Sequence, residues 1–352
     1  MKKKVILFVC SVICAGSLGY DVYNSLAQGV DQLKDISGHW SEQAIRDAAK
    51  SGYVDGYADG NFKPDTSISR AEFIKIIAAA TGEKVNKQEG DGWYKPYTDR
   101  LKEKGVIPEI FPEGYAEPLQ RYEMAMLSVR STDNALKGTM QEATSLGLIH
   151  GISTTDLAPY GTSTRAQAIT VIERILAVKR GEQLPVDKYA ASKAEIDATG
   201  SNVGTMLGLK PKEIGTVWNY GEGVTVKLNQ LIIADPSDAD DPYMKLVDMS
   251  TWYKDTIQVE NVVVLAKFSV AVSEIGVSKT GELHPYQLLY LLNTNNQLLL
   301  RSQQLKRWIM FDKTQVQEGY VAYSIEKKFA YKELVFDILN NHIGLADNRE
   351  GE

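Results

Sequence analysis

The first half of the chain repeats itself, and this constrains the possible folds more than any other feature. One unit runs from Asp35 to Gly82 as DISGHWSEQAIRDAAKSGYVDGYADGNFKPDTSISRAEFIKIIAAATG. A second begins near Trp93 with GWYKPYTDRLKEKGVI and continues through PLQRYEMAML. A third runs through MQEATSLGLIHGI and DLAPYGTSTRAQAITVIERIL. Trp40 precedes Gly52 by 12 residues, as Trp93 precedes Gly105. Gly52 precedes Arg70 by 18 and Gly147 precedes Arg165 by 18, whereas Gly105 to Arg121 is 16, so the second unit's loop is two residues shorter.

Each unit reads as helix, loop, helix. Trp40, Ala44 and Ala48 stand at i, i+4, i+8, as do Trp93, Tyr97 and Leu101, which gives each first helix one apolar face. Phe73, Ile76, Ile77 and Ala80 mark the second helix of the first unit, and Ala168, Val171, Ile172 and Ile175 that of the third. Helical pairs this small cannot bury their apolar faces alone, so the three are expected to pack into one body.

The start of each second helix carries the chemistry. Ser69-Arg70-Ala71-Glu72 and Thr164-Arg165-Ala166-Gln167 match a capping box, so Glu72 and Gln167 read first as caps. Arg70, Arg121 and Arg165 fall at the first helical position, where the helix dipole disfavours a cation. A cation placed there three times points to another use. Free N–H groups at a helix N-terminus and a planar guanidinium fork together suit a carboxylate. The alternative is a solvated arginine or an ion pair to a neighbouring repeat.

With HW, GYADGNFKP and ISRAEF in the first unit, the repeats resemble the S-layer homology (SLH) family, whose signature is of Thr-Arg-Ala-Glu type. The likeness covers about 150 residues. The second unit keeps Trp93, Gly105, Arg121 and Glu123 but has Gln120 and Tyr122 within the signature. The third keeps Thr164-Arg165-Ala166 but has Gln167 and no matching tryptophan. The resemblance implies three repeats in a pseudo-threefold helical body. It also implies non-covalent binding of a secondary cell-wall polymer, often a pyruvylated amino sugar, in grooves between repeats. On that reading Arg70, Arg121 and Arg165 pair with the ketal-pyruvate carboxylate, and Glu72 and Glu123 are the signature acids. Trp40 and Trp93 pack on sugar or else serve as helix core, while Gly56, Asp59 and Gly60 shape a loop beside a groove. One competent groove is a safer expectation than three.

The N-terminus sets the expected compartment. Lys2, Lys3 and Lys4, an apolar run from Val5 to Leu18, and Ser25-Leu26-Ala27 have the form of a cleaved secretory signal, residues 1–27. The apolar run is too short to span a bilayer as a helix. Cleavage removes both cysteines, Cys10 and Cys14, so thiol chemistry and disulfides are excluded from the mature chain. The formal charge of −6 becomes −8 once three Lys and Asp21 are removed, which supports neither nucleic-acid nor membrane partners. A secreted protein at the wall or surface of a Gram-positive bacterium is expected.

From Ile214 the hydrophobic period shifts from 3.6 to 2. Val224, Val226 and Leu228 alternate, then Val262 to Val272, then Leu334, Phe336 and Ile338, and Asn293-Thr294-Asn295-Asn296 reads as a hairpin turn. The fold class is therefore multidomain, α plus all-β, with an immunoglobulin-like β-sandwich at the C-terminal end. The expected boundaries are repeats at 28–82, 83–132 and 133–181, a linker at 182–212 with a short helical stretch near 187–198 that docks partly on one domain, the sandwich at 213–345 and a tail at 346–352. Asp235, Asp238, Asp240, Asp241 and Asp248 could hold calcium but read better as a solvated acidic loop, so no metal or other cofactor is expected. Trp218, Trp252, Tyr253 and Trp308 read as core rather than as a sugar-binding face. His39, His150, His284 and His342 form no HExxH motif, and there is no GxSxG, so a non-catalytic anchor is expected, with the sandwich presenting a surface to a protein partner. The competing readings are a wall or polysaccharide hydrolase with carboxylates in 213–345, and a component of a surface lattice.

Overall fold

The two sequence-marked capping boxes start helices where the pattern puts them. Ser69 Oγ accepts the Glu72 N–H at 3.2 Å and Glu72 accepts the Ser69 N–H at 2.8 Å. Thr164 and Gln167 exchange the same pair of bonds, at 3.2 and 3.1 Å. The computed structural model describes residues 33–57, 59–247, 260–277, 281–283, 290–291, 298–300, 309–330, 333–338 and 341–347. The signal segment with Cys10 and Cys14, the turn at 293–296, and Asp248, Trp252, Tyr253, His284 and Trp308 lie outside the described residues. The chain combines helices with antiparallel sheets and divides into two compact units. One unit comprises the chain through Ile149 with Ala158–Pro185. The other comprises His150–Leu157 with the chain from Val186 onward.

The first unit holds α1 (Glu42–Lys50), α2 (Arg70–Ala80), α3 (Lys95–Glu103), α4 (Arg121–Thr132), α5 (Met140–Ser145) and α6 (Arg165–Lys179). One core joins them, built on Ile45, Phe73, Ile77, Leu101, Met124, Leu127, Ile169 and Ile172. The segments entering α2, α4 and α6 close a ring of backbone hydrogen bonds. Ile68 N–H donates to the Ser163 carbonyl at 3.0 Å, Ser163 to Leu119 at 2.8 Å, and Leu119 to Ile68 at 2.8 Å. All three residues are fully buried, so these bonds satisfy polar backbone that water cannot reach.

At the α1–α6 contact the Tyr53 hydroxyl donates to Glu173. Burial first, and the Asp47 carboxylate second, push the Glu173 carboxyl above its ordinary range. An acid whose folded pKa is raised contributes stability at low pH that is lost as pH rises through the folded value. Glu173→Gln keeps the acceptor and removes this loss. Its melting temperature should exceed the wild type's at pH 7–8, and the difference should vanish near pH 4, where both side chains are neutral. Thermal unfolding across that range checks it.

The second unit opens with α7 (Lys188–Thr199) and α8 (Val203–Leu207), within the stretch expected to be a linker. The strands that follow are β1 (Lys210–Pro211), β2 (Val217–Asn219), β3 (Val224–Ala234), β4 (Asn261–Val272), β5 (Glu282–Leu283), β6 (Tyr290–Leu291), β7 (Leu298–Leu300), β8 (Ile309–Met310) and β9 (Gln315–Glu326). A short helix α9 (Lys327–Ala330), β10 (Glu333–Ile338) and β11 (Asn341–Asp347) complete the described chain. A five-stranded sheet runs β2-β3-β4-β9-β7, a four-stranded sheet β1-β11-β10-β6, and β5 pairs with β8. All the strand pairs are antiparallel.

A bulge between Leu228 and Gln230 sets the faces of β3. Val224, Val226 and Leu228 share one core with Leu231 and Ile233, because the extra residue shifts the parity by one and keeps the apolar side facing inward. Val262, Val264, Ala266 and Phe268 of β4 join them, as do Leu334, Leu345 and Ala346 of the four-stranded sheet. The opposite face of the large sheet is covered too. Ile232, Val263, Leu265 and Ala322 pack with Tyr189 and Ile196 of α7, which explains the unbroken apolar run at the start of β4. Asn202 fastens this layer: fully buried, it donates to Ser192 Oγ and the Ile233 carbonyl and accepts the Ile233 N–H at 2.7 Å. Trp218 packs partly buried against the sheet core. Among the described residues no helix is long and apolar enough to cross a membrane.

Candidate functional site

The helix N-termini do not offer the free N–H groups expected of them. Arg70 N–H donates to the Glu117 carbonyl at 3.0 Å, Arg121 to Gly161 at 2.9 Å and Arg165 to Thr66 at 2.9 Å. The next residues, Ala71, Tyr122 and Ala166, donate to Tyr115, Pro159 and Pro64. Each helix start is thus clasped by the loop of a neighbouring segment, and an anion would have to be met by side chains.

The three arginines differ. Arg70 forks onto Glu123, Nη2 to Oε1 at 2.7 Å and Nε to Oε2 at 3.0 Å, while Nη1 donates to the carbonyls of Glu113 and Gly114. Glu123 is wholly buried and also accepts the Gln120 N–H and the Tyr122 hydroxyl. Arg70 is therefore neutralised inside a saturated network that ties two sequence units together. Arg121 is buried, and burial first, with the Arg121 charge second, lowers the Arg174 pKa. Gln167 holds the place that Glu72 and Glu123 hold in the other units.

Arg165 lines a cavity. Its Nε donates to the Phe62 carbonyl at 3.0 Å, and its plane lies 4.6 Å from the Phe62 ring centre and 4.8 Å from that of Tyr57. Its carboxylate contact is loose, 3.5 Å to Glu72, which is one-third exposed. The cavity of about 270 Å³ is lined by Tyr53, Gly56, Tyr57, Glu72, Lys75, Trp93 and Arg165, among others. Lys75 Nζ stands 5.9 Å from the Trp93 ring centre. Lys75 and Arg165 stand here against Glu72 and Asp55, so the formal charges of the lining residues balance, and Tyr53, Tyr57 and Trp93 supply its aromatic wall.

The GYADGNFKP loop is shaped for this groove. A Cβ on Gly56 would come 2.5 Å from Leu33 Cδ2 and 3.2 Å from the Asn61 carbonyl oxygen, so a larger residue there would require the Leu33 side chain to move. Tyr57 and Asn61 close a turn through Gly60 at φ +79°, and Asp59 caps it by accepting the Asn61 N–H. Asp35 accepts the N–H groups of Phe62 and Lys63 at 2.8 and 2.7 Å, which fixes the ring of Phe62 under Arg165. The structure thus brings together Gly56, Glu72, Trp93 and Arg165, with Asp59 and Gly60 supporting the loop. Arg70 and Glu123 pair elsewhere. Trp40 is 65% exposed, tilted against His39 rather than buried as helix core.

Sequence reasoning missed Lys75, Tyr57 and Tyr53. Lys75 was legible by comparing units, since the fifth residue after the signature arginine is Lys75, Met126 and Thr170 in turn. In the second unit Met126 lies against Gly138, where a Cβ would come within 2.9 Å of it. A larger cavity of about 310 Å³ is lined by Lys104, Arg130 and Lys179, but Arg130 and Lys179 are engaged by carbonyls of Gly105, Leu136 and Ser131 at helix and loop ends. Arg130 and Lys179 thus cap the chain, and Lys104 pairs with Glu83 at 3.5 Å.

In the second unit three carboxylates of the acidic loop, Asp235, Asp238 and Asp241, are engaged. Asp235 pairs with Lys327 at 3.0 Å, Asp238 accepts the Tyr189 hydroxyl, and Asp241 is buried, accepting the N–H groups of Asp235 and Tyr243. Burial pushes the Asp241 carboxyl up. The loop is thus more deeply built in than a solvated one.

Comparison with known proteins locates the family likeness in the first sequence unit. The S-layer homology domain matches residues 32–74. A cellulosome-anchoring protein of Acetivibrio thermocellus is 46% identical over 55 residues, 15% of this chain and 12% of that protein. Cell surface glycoprotein 1 of the same organism is 31% identical over 145 residues, 36% of this chain and 6% of that protein. An exoglucanase, XynX, is 25% identical over 178 residues, 41% of this chain and 16% of its own length. The chain spans less than a fifth of each of these relatives. The loop, cap and groove residues Asp35, Gly56, Asp59, Gly60, Glu72 and their neighbours fall within the matched segment, and the chain carries an S-layer homology domain at residues 32–74.

Proposed function

We propose that this protein is a non-catalytic anchor, held at the bacterial cell wall by an acidic secondary polymer bound in the groove of Arg165, Lys75 and Trp93. A pair of cations, Arg165 and Lys75, beside an aromatic wall is the observation that carries the reading. A pyruvyl ketal places a carboxylate and a methyl group on one sugar, which matches a cation pair next to an indole. On this reading three SLH repeats form a pseudo-threefold body around the hydrogen-bonded ring of Ile68, Leu119 and Ser163. Arg70 and Glu123 join repeats rather than touch ligand, and one groove carries the affinity. The second unit is the presented module, a two-sheet sandwich of immunoglobulin-like kind with α7 as an added layer, offering a surface to a protein partner outside the wall of a Gram-positive cell.

The test is sedimentation of the full chain with Gram-positive walls before and after chemical removal of the secondary polymer. Binding should be lost on stripping. Lys75→Met keeps the stem that packs near Trp93 and removes one charge. A charge-assisted hydrogen bond contributes about 1.5–3 kcal/mol, so affinity for native walls should fall roughly 10-fold or more. Equal binding to stripped walls would refute the anchoring reading.

A further inference from the structure

The geometry points to a second carbohydrate subsite beside the groove, a row of aromatic rings that takes the next sugar of the polymer. This rests on the anchoring reading and deepens it: the ligand is recognised as an oligosaccharide, not as one terminal acidic sugar. The row starts at Trp93, which lines the groove, and passes to Tyr94 with ring centres 6.0 Å apart, then to Tyr115 at 5.2 Å. Tyr94 and Tyr115 are both partly exposed, while Phe111 lies buried and stacked at 6.3 Å behind Tyr115. Lys102 Nζ stands 5.8 Å from the Tyr115 ring centre.

The row is held in place by backbone. Tyr94 is the N-cap residue of α3, and its carbonyl accepts the N–H groups of Tyr97 and Thr98, both at 3.0 Å. The Tyr115 carbonyl accepts the Ala71 N–H at 2.8 Å, and Arg70 grips the carbonyls of Glu113 and Gly114 just before it. Arg70 is thereby a positioning residue for the row. Rings fixed before binding lose little freedom when a ligand arrives. Tyrosines offer an apolar face for the C–H side of a pyranose and a hydroxyl for its polar edge. Continuity with the groove, and a lysine near Trp93 as well as Tyr115, favour a glycan carrying acidic groups over an apolar partner.

The experiment is calorimetric titration of the full chain with two probes, the methyl glycoside of a pyruvylated amino sugar and a longer oligosaccharide ending in the same residue. Wild type should bind the oligosaccharide more tightly. Tyr94→Ala should weaken the oligosaccharide by about 10-fold, the upper range for one aromatic contact, and leave the monosaccharide within twofold. Tyr115→Leu keeps apolar volume over Phe111 and Lys102→Met removes only the charge, so a folding defect in one variant leaves the others to report. Equal affinity of wild type for both probes, or oligosaccharide binding indifferent to all three variants, would overturn the subsite and leave the anchor standing. Failure of wild type to bind either probe would overturn the anchoring reading itself, and the subsite with it.

Discussion

Glu123→Ala should be the most destabilising single substitution in the helical unit. The carboxylate is fully buried and answers the Arg70 guanidinium with two hydrogen bonds, so its loss strands a cation that is only 11% exposed. Removing one partner of a buried pair costs about 3–5 kcal/mol, because the remaining charge stays desolvated. The same carboxylate accepts the Gln120 N–H at the start of α4, and loss of such a cap costs about 1 kcal/mol more. At roughly 2–4 °C per kcal/mol for a unit of this size, the melting temperature should fall by about 10 °C or more. Replacing both partners by apolar residues, Arg70→Met with Glu123→Leu, should recover much of the loss. A double variant as unstable as Glu123→Ala alone would show that the loop grip on Glu113 and Gly114 matters more than the buried charge.

Arg165→Ala should give the largest loss of wall binding, and it should separate from Glu123→Ala by its pattern. Arg165 faces the groove, and its 3.5 Å contact with Glu72 leaves it able to exchange that partner for a ligand carboxylate. A charge-assisted bidentate contact with a bound carboxylate is expected to contribute about 3 kcal/mol, or roughly 100-fold in affinity. The guanidinium also fills the space between Tyr57 and Phe62, so stability drops as well. Arg165→Lys keeps a charge but not the fork, and should recover stability more than affinity. Glu72→Gln provides the opposite sign. It retains a capping side chain, as Gln167 does, and removes the one carboxylate competing for Arg165, so binding of an acidic glycan should tighten severalfold. Surface plasmon resonance on immobilised polymer, beside thermal melts of each variant, distinguishes these outcomes.

The helical half was legible because its signals are local. A hydroxyl three residues before Glu72 or Gln167, and glycines at Gly56 and Gly60, specify caps and turns that need only neighbouring residues. The pairing of Arg70 with Glu123, 53 residues apart, was not. Any chain with this many charges offers many candidate partners, and only the folded ring of loops selects one. The same ring occupies the helix-start N–H groups that dipole reasoning left open for an anion. In the second half, alternation marked β3, β4 and β10 and a helical stretch was expected near 187–198, but the bulge before Gln230 and the seating of that helix over the far face depend on long-range packing. The polar and alanine-rich stretch of α7 has little apolar surface, and Tyr189, Ile196 and the Ser192–Asn202 bond were enough to seat it.

The central claim is that Arg165, Lys75 and Trp93 form the one groove that holds the anchoring glycan. The most direct measurement is a crystal structure of the chain with the pyruvylated amino-sugar glycoside. The account predicts the ketal carboxylate within hydrogen-bond distance of Arg165 and Lys75, its methyl group against Trp93, and the Arg70–Glu123 pair unbroken. A sugar bound at the Arg70–Glu123 pair, or on the β-sheet unit with this groove empty, would contradict it.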